Sequence, residues 1–260
     1  MKGLTKSYLY QIRKTGLAKI VFFALLFMQI SMLLGEWGYR DGKLTIVEYL
    51  ADNGYIMQII AVVYAVMMVG IICSMDFMDK TMNYELMSGH TRAQVYMSKI
   101  LVSILYGCIG YAVILAVPVI VGRIFLNLEY GVDVKELVLR GLISILPAAR
   151  IICEFIFFAF VVRNAYVIMA CGFFLFLGGQ MLPEVLGDPH SVFLGVTCFS
   201  RLTQFESWTT YTLQDTVNMI RVFGYELSGG EIAGVIISSV IIGGFFLLIG
   251  YTFFKKDDLR

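Results

Sequence analysis

Few side chains in this 260-residue chain have types and spacings suited to chemistry. Its two histidines, His90 and His190, are too few for a metal cluster, so no metal is expected. The five cysteines (73, 108, 153, 171 and 198) form no C-x-x-C pair and are odd in number. Four lie in or beside apolar runs, and they read as small core hydrophobes. A hydrolase would need H-E-x-x-H, paired glutamates or G-x-S-x-G, and the sequence has none of them. No catalytic residue is therefore expected. Two features remain. Arg150 and Glu154 stand four residues apart in an otherwise apolar run, so they share a helix face and can pair. The stretch 76–99 is polar between two apolar runs.

Composition decides where these residues must sit. Apolar residues make up 59% of the chain and charged residues 15%, with mean hydropathy +0.81. A soluble domain has about 45–50% and about 25%. This excludes a soluble globule, a disordered chain and a disulfide-stapled secreted fold. The net charge of +1 gives no support to nucleic-acid binding. The expected class is an all-α polytopic membrane protein. A helix needs roughly 20 apolar residues to cross about 30 Å of hydrocarbon. Six runs qualify as spans: Ala18–Leu34, Ile56–Met75, Ile100–Val121, Leu142–Val162, Ala165–Leu182 and Ile232–Phe254. Leu34-Gly35-Glu36-Trp37 is no cleavage site, so the first run is expected to be an uncleaved anchor.

Charge sets the orientation. With six spans, the side holding both termini carries twelve Lys and Arg against five acids, and the other side seven against thirteen. The positive-inside rule then places both termini in the cytoplasm of a multi-pass plasma-membrane protein. In a cysteine-free background, a Cys at Ser207 should react with an impermeant thiol reagent from outside, and one at Ser88 should not. The reverse labelling would overturn this orientation.

The polar segments have patterns of their own. Over residues 1–16, Leu4, Tyr8, Leu9 and Ile12 share one arc, with Lys2, Lys6, Arg13 and Lys14 mostly outside it. This predicts an amphipathic helix on an anionic inner leaflet. Spans four and five are joined only by Arg163-Asn164, a tight hairpin. Residues 183–230 form a long outer loop, of a length that usually carries structure or function. Leu213, Val217, Ile220 and Gly224 are spaced for a helix face, and Phe199, Phe205, Trp208 and Tyr211 add aromatics. Short interfacial or re-entrant helices are predicted there. The segment 76–99 reads DFMDKTMNYELMSGHTRAQVYMSK. Asp76 and Asp79 suit a first helical turn, and Gly89 suits a helix stop. Thr91 and Gln94 fit a capping box. A short polar helix ending at Gly89 and a fresh helix from Thr91 make an elbow, either shaped for a partner's grip or serving as a plain linker.

In this order and spacing, the chain resembles the type-2 ABC exporter permeases (ABC-2), of the small six-span kind found in peptide export and antimicrobial-peptide immunity systems. The segment 76–99 is similar to that family's stretch in which an acidic-to-Lys-Thr run leads to Ser-Gly-x-x-Arg and then a Lys entering span three. VVRNAYVIM at 161–169 resembles its span 4–5 turn, and GYTFFKKDDLR its basic-then-acidic tail. The resemblance runs over essentially the whole chain and implies one ABC-2 transmembrane domain over 1–260. It implies that the elbow is a coupling helix docking on a separate ABC ATPase subunit, two copies per transporter. The coupling residues would be Asp76, Asp79, Lys80, Asn83, Tyr84, Glu85, Leu86, Ser88, Gly89 and Arg92. It also implies an extracellular gate in the span 5–6 loop and a second permease chain, in a homo- or heterodimer, within membrane lipid.

No P-loop is present, because Gly42-Lys43 lacks both the earlier Gly and the following Ser or Thr. No cofactor is expected in this chain; ATP and Mg belong to the partner ATPase. Leu227-Ser228-Gly229-Gly230-Glu231 looks like the ATPase signature LSGGQ, but no Walker motif accompanies it. Ser228 and Glu231 read instead as a capping box opening span six. Arg150 and Glu154 have two readings: they line the path or gate, or they are a self-neutralised packing pair. The expected cargo is an amphipathic or hydrophobic molecule, foremost a peptide or toxin, with hydrophobic drugs or lipid-linked glycans as the alternative. An intramembrane enzyme or a membrane sensor is the reading from a different class.

Overall fold

The computed structural model describes residues 2–79, 81–172, 174, 198, 199, 202, 203, 206–213, 216–223 and 227–256. Among the described residues, five helices are long and apolar enough to cross a membrane, so the chain is a polytopic helical membrane protein. Helix α1 (Lys2–Lys14) meets α2 (Gly16–Tyr39) at Thr15, whose extended backbone breaks the path between them. Helix α3 (Ile46–Val69) runs through a π-helical turn, Gly70–Ser74, into α4 (Met75–Met78). A seven-residue helix α5 (Thr81–Met87) follows, then α6 (Arg92–Phe125) and α7 (Val134–Val162). The last helix, α8, covers Gly229–Lys256.

Local chemistry starts these helices. Thr45 and Glu48 form a capping box on α3, with Glu48 N–H donating to Thr45 Oγ1 at 3.3 Å and Thr45 N–H to Glu48 Oε2 at 2.9 Å. The predicted box at Thr91 and Gln94 opens α6, and Ser228 with Glu231 opens α8. Helix α6 has 34 residues, about 50 Å at 1.5 Å per residue, so it overruns a 30 Å hydrocarbon layer.

Helix α3 is the hub: 89% of its most apolar window is buried, against 17% for α2 and α8, which flank the bundle. Residues without side chains bring the hub's neighbours close. A Cβ at Gly110 would overlap the Tyr64 ring, and one at Gly107 would sit 2.7 Å from Ile152 Cδ1. The Gly243-Gly244 pair divides its work. Gly243 lies against α7 at Arg150 and Cys153, and Gly244 meets nothing within 4 Å.

Four expectations change. The second span begins at Ile46, not Ile56, and continues to Met78. Asp76 and Asp79 therefore end this helix rather than opening a new one, and the polar helix is confined to Thr81–Met87. The apolar arc of α1 packs on protein: Leu4, Tyr8 and Ile12 are buried in the main core. In the loop 183–230, the residues 206–213 and 216–223 are not helical but form the two strands of a β-hairpin. Strand β1 (Glu206–Leu213) pairs antiparallel with β2 (Thr216–Phe223), Glu206 opposite Phe223 and Leu213 opposite Thr216. The run of Thr, Trp, Tyr, Val and Ile favours the extended chain over the helix face suggested by four spaced residues.

Other described parts of that loop pack on the protein. Cys198, Phe199, Leu202 and Thr203 are buried, and Phe199 stacks on Tyr111 at a centroid separation of 6.1 Å. Phe205 lies outside the described residues. The Arg163-Asn164 turn is tight. Arg163 takes the left-handed conformation (φ 56°) closing α7, and Asn164 Oδ1 accepts from Tyr166 N–H at 3.0 Å. The chain is helical again over 165–172 and runs back along α3, with Ala165 beside Gly70 and Gly172 beside Val66. Residues 175–182 of the expected fifth span lie outside the described residues.

Candidate functional site

One cluster of polar residues gathers where α1, α4, α5 and the start of α6 meet. Lys99, on α6, is completely buried and forms an ion pair with Asp76 on α4. Its ammonium also donates to Ile72 O at 3.1 Å and lies 5.0 Å from the Tyr8 ring centroid. The Ile72 carbonyl belongs to the π-helical turn. Such a turn departs from i→i+4 pairing and can leave a carbonyl open to another donor. Two more side-chain bonds hold this turn: Cys73 Sγ lies 3.3 Å from Ser103 Oγ, and Ser74 Oγ donates to Ala159 O at 3.3 Å.

The elbow is tied to the same knot. Tyr8 OH donates to Glu85 Oε2 at 2.6 Å, and Thr81 Oγ1 donates to Asp76 Oδ1 at 3.1 Å. Burial pushes the Glu85 carboxyl above its ordinary value, although the Lys99 charge and the Tyr8 hydrogen bond pull the other way. Burial also raises the Tyr8 hydroxyl, and the hydrogen bond and negative charge at Glu85 add to it. Beneath the knot, Phe77, Tyr96, Phe160 and Phe254 pack edge to face or stacked and join α4, α6, α7 and α8. A cavity of about 400 Å³ opens beside the knot, between α1 and the π-helical turn that ends α3, with α4.

Eight of the ten residues assigned to coupling divide into two sets. Asp76 and Glu85 turn inward, Leu86 packs against the core, and Ser88 Oγ donates to Glu85 O at 2.7 Å. Arg92 donates to the carbonyls of Phe254 and Lys255 at 3.2 and 3.3 Å, tying the base of α6 to the end of α8. Asp79, Tyr84 and Gly89 are exposed, and Gly89 has φ 91°, which suits a residue without Cβ. Lys80 lies outside the described residues, as does the side chain of Asn83. Arg150 and Glu154 pair as their spacing requires, Nε to Oε1 at 2.9 Å, on the face of α7 that meets α8 at Gly243.

Sequence reasoning missed Lys99 and Tyr8. Lys99 reads as a topology charge and Tyr8 as part of a lipid-facing arc. Their partners stand 23 and 77 residues away, so no local spacing reveals them. The knot joins the elbow to α1, α4 and α6 through hydrogen bonds and an ion pair. No family model matches the chain, and no curated protein matches it.

Proposed function

We propose that this chain is the membrane-spanning subunit of an ABC-2 type exporter, with α5 as its coupling helix. A separate ATPase would bind and hydrolyse ATP with Mg, and this subunit would switch an inward-open path outward. On this reading the spans number six, the fifth beginning with the helical residues 165–172, and two such chains form the transporter. The observation that carries the proposal is the two-sided elbow. Its inner side is bonded to α1, α4 and α6 through Glu85, Thr81 and Asp76, and its outer side presents Tyr84 and Met87, 70% and 82% exposed. Large apolar side chains on a short helix outside the bundle are what a partner would bury. A push on that helix reaches α3 through Asp76 and α6 through Lys99.

An apolar cavity of about 310 Å³ between α3, α6 and α7 includes Gln58 and Arg140 among its mainly apolar walls. Its size and character suit an amphipathic guest. Peptides or toxins are the favoured cargo, with hydrophobic drugs or lipid-linked glycans as the alternative.

The test is co-purification. A tagged chain extracted from its native membrane should bring with it an ATPase bearing Walker motifs. Combining Tyr84→Ala with Met87→Ala should weaken that association at least about tenfold, the effect of losing two exposed anchors, while the melting temperature stays unchanged. Full ATPase recovery and full export in that variant would overturn the coupling assignment.

A further inference from the structure

The cavity between α1 and the end of α3 with α4 has two charged walls of opposite sign. On the α1 wall stands Lys14, whose ammonium meets only the Tyr10 ring among the described residues, 5.3 Å from its centroid. On the facing wall stand Asp76, Asp79 and Thr81. Asp76 and Thr81 are engaged in the knot. Asp79 is exposed, and its carboxylate has no partner among the described residues. Ile12, Ile72 and Met75 add apolar surface.

The cavity's level is set by the helices around it. Thr15 precedes the first residue of the membrane-crossing α2, and Asp79 follows the last residue of the membrane-crossing stretch Ile46–Met78. Both mark the same membrane boundary, so the cavity lies where lipid headgroups lie. Its occupant there must offer a cation to Asp79, an anion to Lys14 and an apolar part to the isoleucines and methionine.

The geometry points to a zwitterionic phospholipid with a primary ammonium, a phosphoethanolamine headgroup, seated between α1 and α4 with its ammonium on Asp79 and its phosphate on Lys14. A primary ammonium has three donors for carboxylate and hydroxyl oxygens. A quaternary ammonium has none, and a glycerol headgroup has no cation. The site stands apart from the ABC-2 reading, because it rests only on the cavity and the membrane boundary. Its bound lipid would touch Asp76, and through it the knot.

Native mass spectrometry of the full-length protein in detergent tests this, with phosphatidylethanolamine, phosphatidylcholine and phosphatidylglycerol of identical acyl chains. Phosphatidylethanolamine should bind about fivefold more tightly than either other lipid, the upper end for a solvent-screened charged pair. Asp79→Asn should abolish that preference, and Lys14→Gln should weaken all three lipids. Both substitutions fall on exposed side chains and should leave the melting temperature unchanged. Tighter binding of phosphatidylglycerol by the wild type would show that the basic helix merely attracts anions, and would overturn the proposal. So would equal binding of all three lipids, or an ethanolamine preference surviving Asp79→Asn.

Discussion

Asp76→Ala should destabilise the protein by about 3–5 kcal/mol, the usual cost of leaving one member of a buried ion pair behind. Lys99 has no exposed surface, so its ammonium would lose its ion-pair partner and keep the Ile72 carbonyl, the Tyr8 ring and the charge of the nearby Glu85 carboxyl. Removing the lysine as well, in Asp76→Ala with Lys99→Met, should recover most of the loss, since a methionine fits an apolar site of that length. The double-mutant cycle, measured by unfolding the purified protein in mixed micelles, should therefore be strongly non-additive. Losses that simply add would mean that the two side chains do not depend on each other. The single variant should also loosen the elbow: amide exchange over Thr81–Met87 should rise, because Thr81 loses its bond to the Asp76 carboxylate.

The second large effect is expected at Arg150 and Glu154. Arg150 is 3% exposed, and its partner is held at 2.9 Å on the face where Gly243 brings α8 against α7. Arg150→Ala or Glu154→Ala alone should cost about 3–5 kcal/mol, because each removes one member of a largely buried ion pair. Combining Arg150→Met with Glu154→Leu should restore folding, since two apolar residues of similar length fill the same helix face. The position of the pair, packed between two helices of one chain, favours the packing role, so on the exporter reading export by the double variant should match the wild type. A well-folded double variant that fails to export would instead place the pair on the path or gate.

Helices and caps were legible because their signals are local. Hydropathy marks a span within about 20 residues, and the capping boxes at Thr91 and Ser228 need only four. The hairpin was misread for the same reason. Leu213, Val217 and Ile220 match a helical period, while what decides the strands is pairing across the hairpin, Thr209 with Ile220 and Thr212 with Val217. Arg150 with Glu154 was readable because i,i+4 spacing on one helix brings the side chains together. The fates of Tyr8 and Lys99 were not.

Composition and hydropathy alone determined that this chain lives in a membrane and that its long helices are the spanning elements, because burying unpaired backbone in hydrocarbon leaves no other choice for apolar runs of that length. Spacing alone determined where α6 and α8 begin and that Arg150 meets Glu154. Only the tertiary structure decided that the apolar face of α1 is covered by protein, that Lys99 is a buried ion-pair partner of Asp76, and that a π-helical carbonyl completes its shell. An amphipathic arc is equally satisfied by lipid or by protein, and a lysine at a helix start equally by water or by a carboxylate. Which of these prevails depends on groups brought together from distant parts of the chain, and that information exists only once the helices have packed.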